Sequence, residues 1–190
     1  MSHNKISIIM PVINEAKNLR NTLDNLRLTG EEELIIVDGG SNDETMSIAR
    51  EYTDKVFQTK TGRASVMNYG AAKAGGEILL FLHADCSLPE NGYQLIREAL
   101  SDANVAAGGF TLHINHPGFR FRLIEFFSNF RAGITSLIYG DQGMFVRKQT
   151  FEELGGFAEI PLMEDIEISG RVRKTGKVIS VPEHPSGPRR

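Results

Sequence analysis

The chain has 190 residues, of which 41% are hydrophobic and 24% are charged, and its formal net charge is −3. This composition is typical of a globular protein that is long enough for a full core, and it excludes a disordered chain and a strongly basic nucleic-acid-binding protein. We therefore expect a single domain over residues 1–190 and no nucleic-acid partner.

The cysteine content and the first residues indicate the cellular compartment. Cys86 is the only cysteine, so no disulfide can form within the chain, which favours a reducing compartment. The first apolar stretch is interrupted by Ser7 and Pro11 and lacks the cleavage site of a signal peptide. No stretch approaches the roughly 18 apolar residues of a transmembrane helix. The sequence therefore predicts a cytoplasmic protein.

Short apolar runs alternate with helical segments over the first part of the chain. The strand-like runs, rich in Ile, Val and Phe, are residues 5–12, 33–40, 55–59, 77–82 and 106–114. The segments with helical spacing or helix-start signals are residues 15–28, 43–52, 63–73 and 93–100. Strands that alternate with helices indicate βαβ units, so we predict an α/β fold with a mainly parallel central sheet flanked by helices.

The pattern changes after Ile114. Residues 119–137 carry an aromatic and aliphatic stripe at helical spacing, with arginines elsewhere on the segment. Such a helix packs against the protein core or lies against lipid headgroups, and the second interpretation implies peripheral association with the inner face of a membrane. Residues 143–148 and 177–181 are then predicted as strands, and residues 164–176 as a helix.

Acidic side chains follow the apolar runs at the points where the predicted strands end. The run 78–82 leads directly into His83-Ala84-Asp85, and Glu15 and Asp38 follow the first and second strands. Because parallel strands end at the same edge of a sheet, we expect Glu15, Asp38 and Asp85 to converge on one crevice. Such carboxylates repel one another unless a cation or a hydroxyl-bearing ligand joins them. The simpler interpretation is that Asp85 caps a turn or a helix.

One basic residue is placed to meet an anionic ligand at this edge. Arg63 opens the predicted helix 63–73, where a guanidinium and a helix N-terminus can both contact a diphosphate.

The motifs in this order resemble those of the family-2 glycosyltransferases. The likeness extends through PVINEAKNL, IIVDGGSNDET, GRASVMNYGAAKAGGEILLFLHADC, YGDQGMFVRK and LGGFAEIPLMEDIEISGRVRKTG. It is similar above all to a short, single-domain bacterial subgroup. The resemblance implies a GT-A fold and a hexosyltransferase-type enzyme that moves a sugar from a nucleotide-sugar donor with inversion. It also implies a nucleotide-sugar-binding half, residues 1–114, and an acceptor-side half, residues 115–190.

The resemblance also implies roles for individual residues of the first half. Pro11, Glu15, Asp38 and Arg63 correspond to positions that hold the nucleotide of the donor. The family's Asp-x-Asp signature falls on residues 83–85, so Asp85 corresponds to the ligand of Mg²⁺ or Mn²⁺. His83 belongs to the same nucleotide-sugar-binding set, but it replaces the first Asp, which puts the family contact there in doubt.

The second half carries the residues that the resemblance assigns to catalysis and to the acceptor. Glu164 and Asp165 match the family's Glu-Asp motif, in which the Asp is the general base. Acids at a helix N-terminus also stabilise the helix, so a purely structural role is the alternative. Asp141 and Gln142 are expected on the acceptor side, and a lipid-linked acceptor is compatible with the aromatic stripe.

The end of the chain also resembles a family segment. The sequence EHPSGPRR is similar to one that continues into a further hydrophobic stretch, which implies a truncated C-terminus. His184 is a candidate for a C-terminal metal ligand, although an isolated histidine beside prolines is typical of a surface.

Two other functions are compatible with a nucleotide site of this kind. A nucleotidyltransferase also combines an α/β sheet with Mg²⁺, but no Gly-rich phosphate loop with a following Lys is found near the first strand. A nucleotide-sugar-binding module without turnover is the other alternative, against which the acids Asp85 and Asp165 argue.

Overall fold

The structure is a computed structural model, and it describes residues 5–59, 62–111, 138 and 143–181. The predicted helix over residues 119–137, the acceptor-side pair Asp141 and Gln142, and His184 lie outside the described residues. In the part that is described, no helix combines the length and the apolar character needed to cross a bilayer.

The described residues form seven strands and six helices. The strands are β1 (Ile6–Val12), β2 (Glu32–Asp38), β3 (Val56–Gln58), β4 (Ile78–Phe81), β5 (Val105–Phe110), β6 (Met144–Arg147) and β7 (Lys177–Val181). The helices are α1 (Ala16–Asp24), α2 (Thr45–Ala49), α3 (Arg63–Lys73), α4 (Gly92–Ala99), α5 (Lys148–Glu153) and α6 (Glu164–Val172).

All seven strands belong to one sheet, in the order β3-β2-β1-β4-β6-β5-β7. The first four strands in this order, β3, β2, β1 and β4, are parallel to one another. Strand β6 runs antiparallel between β4 and β5, and β7 pairs with β5 in the parallel sense. The predicted mainly parallel α/β sheet is therefore confirmed, and the two predicted halves of the chain share this one sheet.

The sheet buries both of its faces. Ile8 and Met10 of β1 pack with α1, whereas Ile9 between them packs on the opposite face with α3, because successive side chains of a strand alternate in direction. Helix α3 lies very close to β1: a Cβ atom added at Gly70 would stand 2.5 Å from Cγ2 of Ile9. This close contact between Gly70 and Ile9 fixes the position of α3 relative to β1.

A buried carboxylate organises the amino end of the sheet. Glu33 of β2 is 8% exposed, and it accepts hydrogen bonds from the Ser7 hydroxyl and the Lys55 ammonium. The backbone N–H groups of Gly75 and Gly76 donate to its Oε1 at 2.6 Å and 3.0 Å. Burial alone would raise the pKa of Glu33, but these hydrogen bonds and the charge of Lys55 lower it to about 2. This network joins β1, β2 and the segment before β4.

The helices differ from the sequence prediction in their boundaries and in one additional helix. Helix α1 ends at Asp24 rather than at residue 28, and α6 ends at Val172 rather than at residue 176. Helix α2 begins at Thr45 rather than at residue 43, because the Asp43 carboxylate accepts hydrogen bonds from the Thr45 N–H and hydroxyl and therefore stays in the loop. Helix α5 directly follows β6 and was not predicted, since its six residues are too few for a helical repeat.

Candidate active site

A cavity of about 340 Å³ lies at the carboxyl ends of β1 and β4. The strand order reverses between these two strands, and ligands of open α/β sheets bind at such a point. Residues of β1, of the loops after β1 and β2, of α3 and of the segment after β4 line it, among them Pro11, Glu15, Gly39, Arg63, Val66 and His83. The volume falls within the range of small-molecule sites, roughly 300–1,000 Å³.

The loop after β1 is held in place by the loop after β2. The backbone N–H of Glu15 donates to Oγ1 of Thr45 at 2.8 Å, and the N–H of Ala16 donates to Oδ2 of Asp43 at 3.2 Å. These side chains satisfy N–H groups at the start of α1, which lacks a cap from its own residues. Asn14 adopts the left-handed region with φ 54°, so the turn that presents Glu15 is fixed by its surroundings.

Asp38 is not among the residues that line the cavity. Its side chain is fully buried, and its carboxylate accepts hydrogen bonds from the N–H groups of Gly40 and Ser41, the Ser41 hydroxyl and Nε2 of Gln58. Asp38 therefore shapes the loop that carries Gly39 into the cavity wall. Its predicted contact with the nucleotide stays a prediction.

Arg63 joins three separate elements at the cavity. Its Nη2 lies 2.6 Å from Nε2 of His83, at the end of β4, and its Nε lies 2.9 Å from Oε1 of Glu164, the first residue of α6. The side chain of Arg63 is half-exposed. Burial, and then the positive charge of Arg63, lower the pKa of His83 to about 4, so the ring is neutral at pH 7 and Nε2 accepts from the guanidinium.

Two carboxylates lie beside this cluster. The charges of Asp85 and Asp165 both oppose the lowering of the His83 pKa, which places them in the electrostatic range of that ring. Asp85 is exposed, whereas Asp165 is partly buried and its Oδ1 accepts from the backbone N–H of Ile166 at 2.8 Å. Both acids therefore lie near His83, which is part of the cavity wall.

The adjacent acids Glu164 and Asp165 are in different environments. Glu164 is 3% exposed and turned toward Arg63, whereas Asp165 is only partly buried. A helix rotates by about 100° per residue, so neighbouring side chains leave it in different directions. The motif alone groups both acids as catalytic. Their adjacent positions at the start of a predicted helix are the signal in the sequence that separates them, because adjacent helical residues point in different directions.

Most of the predicted donor-side residues come together in the structure. Pro11, Glu15, Arg63 and His83 line one cavity, and the charge of Asp85 acts on His83. The ion pair between Arg63 and Glu164 was not predicted, because nothing in the spacing of the sequence indicates which residue of the second half meets α3.

Comparison with known proteins gives one family. Residues 7–157 match the family described as Glycosyl transferase family 2. Glycosyltransferase AglE of Haloferax volcanii is 26% identical over 168 residues, which cover 80% of this chain and 55% of that protein. The chain spans about half the length, or less, of the curated relatives it matches.

Solved structures of similar fold include sugar transferases bound to nucleotide-sugars. The mannosyltransferase PcManGT from Pyrobaculum calidifontis, in complex with GDP-Man and Mn²⁺, has a TM-score of 0.73 at 21% identity, covering 96% of this chain and 56% of that chain. Residues 1–349 of S. aureus TarS, in complex with UDP-GlcNAc, have a TM-score of 0.72 at 18% identity, covering 96% and 60%. These likenesses show the GT-A fold that the sequence predicted.

Proposed function

The chain belongs to glycosyl transferase family 2, and from that premise we propose that it transfers a sugar from a nucleotide-sugar donor to an acceptor hydroxyl with inversion. The observation that carries the proposal is the cavity at the reversal of strand order, with the guanidinium of Arg63 and the ring of His83 in its wall and the charges of two carboxylates, Asp85 and Asp165, near that ring. A nucleoside fits the apolar and carboxylate-bearing part between Pro11, Glu15 and Val66, and Arg63 offers N–H donors to a diphosphate.

A divalent cation, Mg²⁺ or Mn²⁺, fits this site through Asp85. Among the described residues no three His, Cys, Asp or Glu side chains are clustered as a metal cage, so the protein would supply few ligands. Mg²⁺ is usually held in this way, by one or two carboxylates together with substrate phosphates. Asp85, exposed at the end of β4, would hold the ion, which when bound neutralises negative charge on the departing diphosphate.

Asp165 is the proposed general base. Its charge acts on His83 of the cavity wall, and its side chain is partly accessible, as that of a group that contacts the acceptor must be. In a single displacement the acceptor oxygen bonds to the anomeric carbon as the bond to the diphosphate oxygen breaks, and the hydroxyl proton passes to Asp165. Attack opposite to the leaving group inverts the anomeric configuration.

An apolar or lipid-linked acceptor is supported by the surface just before α6. Leu162 and Met163 are 78% and 66% exposed, and they immediately precede the acid pair. Large exposed apolar side chains beside a site often mark the binding of an apolar partner. Flotation with anionic vesicles tests this part of the proposal: no association, together with efficient transfer to a small water-soluble acceptor, would contradict it.

A panel of nucleotide-sugars tests the proposed function. Binding is measured by calorimetry with Mn²⁺ and with chelator, and any donor that binds is then followed for slow hydrolysis. We expect at least one donor to bind in a metal-dependent manner and to release a nucleoside diphosphate. Release of pyrophosphate would indicate a nucleotidyltransferase, and binding without any turnover would indicate a binding module.

A further inference from the structure

The segment between α5 and α6 is fastened to the first turns of α3 at several points. Nδ2 of Asn68 donates to the carbonyl of Phe157 at 2.9 Å, and the hydroxyl of Ser65 donates to Oε1 of Glu159 at 2.9 Å. The ion pair of Arg63 with Glu164 continues this series. The first two contacts hold the segment, so the third is not needed for its attachment.

Glu164 is an unusual buried group. It is 3% exposed, and among the side chains described its Oε1 is the buried polar atom that accepts no hydrogen bond, although Nε of Arg63 is only 2.9 Å away. The approach of Arg63 is thus electrostatic without hydrogen-bond geometry. Burial of a carboxylate costs free energy that an ion pair with a half-exposed partner offsets only in part, so stability alone does not account for this residue.

Arg63 is held from two sides at the cavity wall. Glu164 lies at its Nε and His83 at its Nη2. A guanidinium has five N–H groups, so these two contacts leave others for an anion. A long side chain that is fixed before the ligand arrives loses less rotamer entropy on binding.

We propose that Glu164 is a positioning residue for the donor: it holds the Arg63 guanidinium in place for the diphosphate, and it takes no part in proton transfer. This inference rests on the proposed function and divides the acid pair between the two substrates. Glu164 acts through Arg63 on the donor side, and Asp165 acts on the acceptor. The first turn of α6 thereby ties the position of the base to the position of the donor.

The fold tolerates a change at Glu164. At the far end of α6, Arg171 donates to the carbonyls of Leu154 and Gly156 at 2.6 Å and 2.7 Å. The hydroxyl of Ser169 donates to the carbonyl of Ile138 at 3.1 Å. Glu164→Gln keeps the size of the side chain and removes its charge, so we expect a folded protein with a melting temperature near that of the wild type.

A double-mutant cycle tests the proposal. The affinities of GDP and of UDP with Mn²⁺ are measured by calorimetry for wild type, Glu164→Gln, Arg63→Ala and the double variant. We expect Glu164→Gln to weaken nucleotide binding about tenfold, as for loss of a charge-assisted contact, and to have no further effect once Arg63 is absent. Glu159→Gln is the matched control, since Glu159 contacts the same turn of α3 without touching Arg63, and it should bind nucleotide normally.

Two results of these binding and transfer measurements would contradict the proposed role of Glu164. An equal effect of Glu164→Gln with and without Arg63 would show a general structural role, and an unchanged affinity with a lower transfer rate would return Glu164 to proton transfer. Either result overturns the proposal.

A measurement without nucleotide separates this inference from the proposed function. The hydrogen exchange of the Arg63 Nε–H is followed by NMR, with Arg63→Lys identifying the signal. Glu164→Gln should accelerate the exchange at least severalfold, and an unchanged rate overturns the inference. If the wild type binds no nucleotide, the proposed function fails, and the exchange rate alone then decides whether Glu164 holds the guanidinium.

Discussion

The two ends of the sheet each bury a glutamate, and the two carboxylates are treated in opposite ways. Glu33, at the amino end, accepts from a hydroxyl, an ammonium and two backbone N–H groups. Among the described residues, the charged partner of Glu164, at the carboxyl end, is the Arg63 guanidinium, and Oε1 of Glu164 accepts no hydrogen bond. Burial is similar, at 8% and 3% exposure, so the difference lies in the partners.

The contrast separates groups that hold the fold from groups that serve a ligand. A buried polar network stabilises a protein when every member is satisfied, and an incompletely satisfied buried group needs another explanation. At the amino end the network is complete. At the carboxyl end partly exposed charges surround a cavity, an arrangement that a bound diphosphate and cation would complete. Changes at the carboxyl end should therefore affect activity, and changes at the amino end should affect stability.

The largest effect is expected for Asp165→Asn. The amide keeps the size of the side chain but cannot accept the proton, so single-turnover transfer should fall roughly 10²-fold or more. The melting temperature and the nucleoside diphosphate affinity should stay close to wild type, because the donor residues lie in the first half of the chain. Near-normal turnover would show that Asp165 only stabilises its helix.

The converse change at the amino end is Glu33→Ala. It leaves the N–H of Gly75 without its acceptor and the N–H of Gly76 with Oγ of Ser7 alone, and it removes the partner of the Lys55 ammonium, so we expect the free energy of unfolding to fall by about 3 kcal/mol. Urea denaturation measures this loss. Transfer by the folded protein should be unchanged, and Glu31→Ala, at an exposed neighbour, is the control that should cost little. Lost transfer in a folded Glu33→Ala protein would break the separation of the two ends.

An intermediate effect is expected for Asp85→Ala. Without this carboxylate the cation and the diphosphate charge are less well compensated, so diphosphate affinity with Mn²⁺ should fall on the order of tenfold, toward the value measured with chelator. Calorimetry of wild type and variant, each with Mn²⁺ and with chelator, tests this. Equal affinity of the wild type under both conditions would refute the metal assignment, whatever the variant does.

The smallest effect is a change of stability with pH. Burial raises the pKa of Glu33, but hydrogen bonds from Lys55, Ser7 and Gly75 and the charge of Lys55 lower it in the folded protein to about 2 from an ordinary 4.5. Because the pKa of Glu33 is lower in the folded protein than in the unfolded chain, ionised Glu33 stabilises the fold at pH values above 4.5. This contribution is lost as the pH falls from 4.5 toward 2. The stability difference between wild type and Glu33→Gln should thus be constant near neutral pH and narrow in acid. If the stability difference between wild type and Glu33→Gln instead widened in acid, the pKa of Glu33 would be raised in the folded protein, contrary to this prediction.

Much of the fold could be predicted because its signals are local. The apolar run that leads into His83 and Asp85 indicated a buried parallel strand with a site at its carboxyl end, and the structure places His83 in the cavity wall. Arg63 begins its helix as predicted. These predictions depend only on the periodicity and composition of neighbouring residues.

The remaining features depend on contacts between distant parts of the chain. The sequence could not show that the Asp38 carboxylate would accept hydrogen bonds from Gly40, Ser41 and Gln58, because a turn-forming Asp and a ligand-binding Asp have the same sequence pattern. Nor could it show that Glu164 would meet Arg63, since that pairing depends on how α6 packs beside α3. Side-chain direction at the site is decided by tertiary packing.

The position of β6 has a consequence for how the chain folds as it is made. Among the described strands the partners of β5 are β6 and β7, and both are synthesised after it. Strands β1 to β4 can pair while the ribosome is still elongating the chain, but β5 must wait with an open edge until Met144–Arg147 has emerged. The nascent chain therefore has an unfinished sheet at that stage, and the sheet is completed only when β7, which follows the helix that carries Asp165, has emerged.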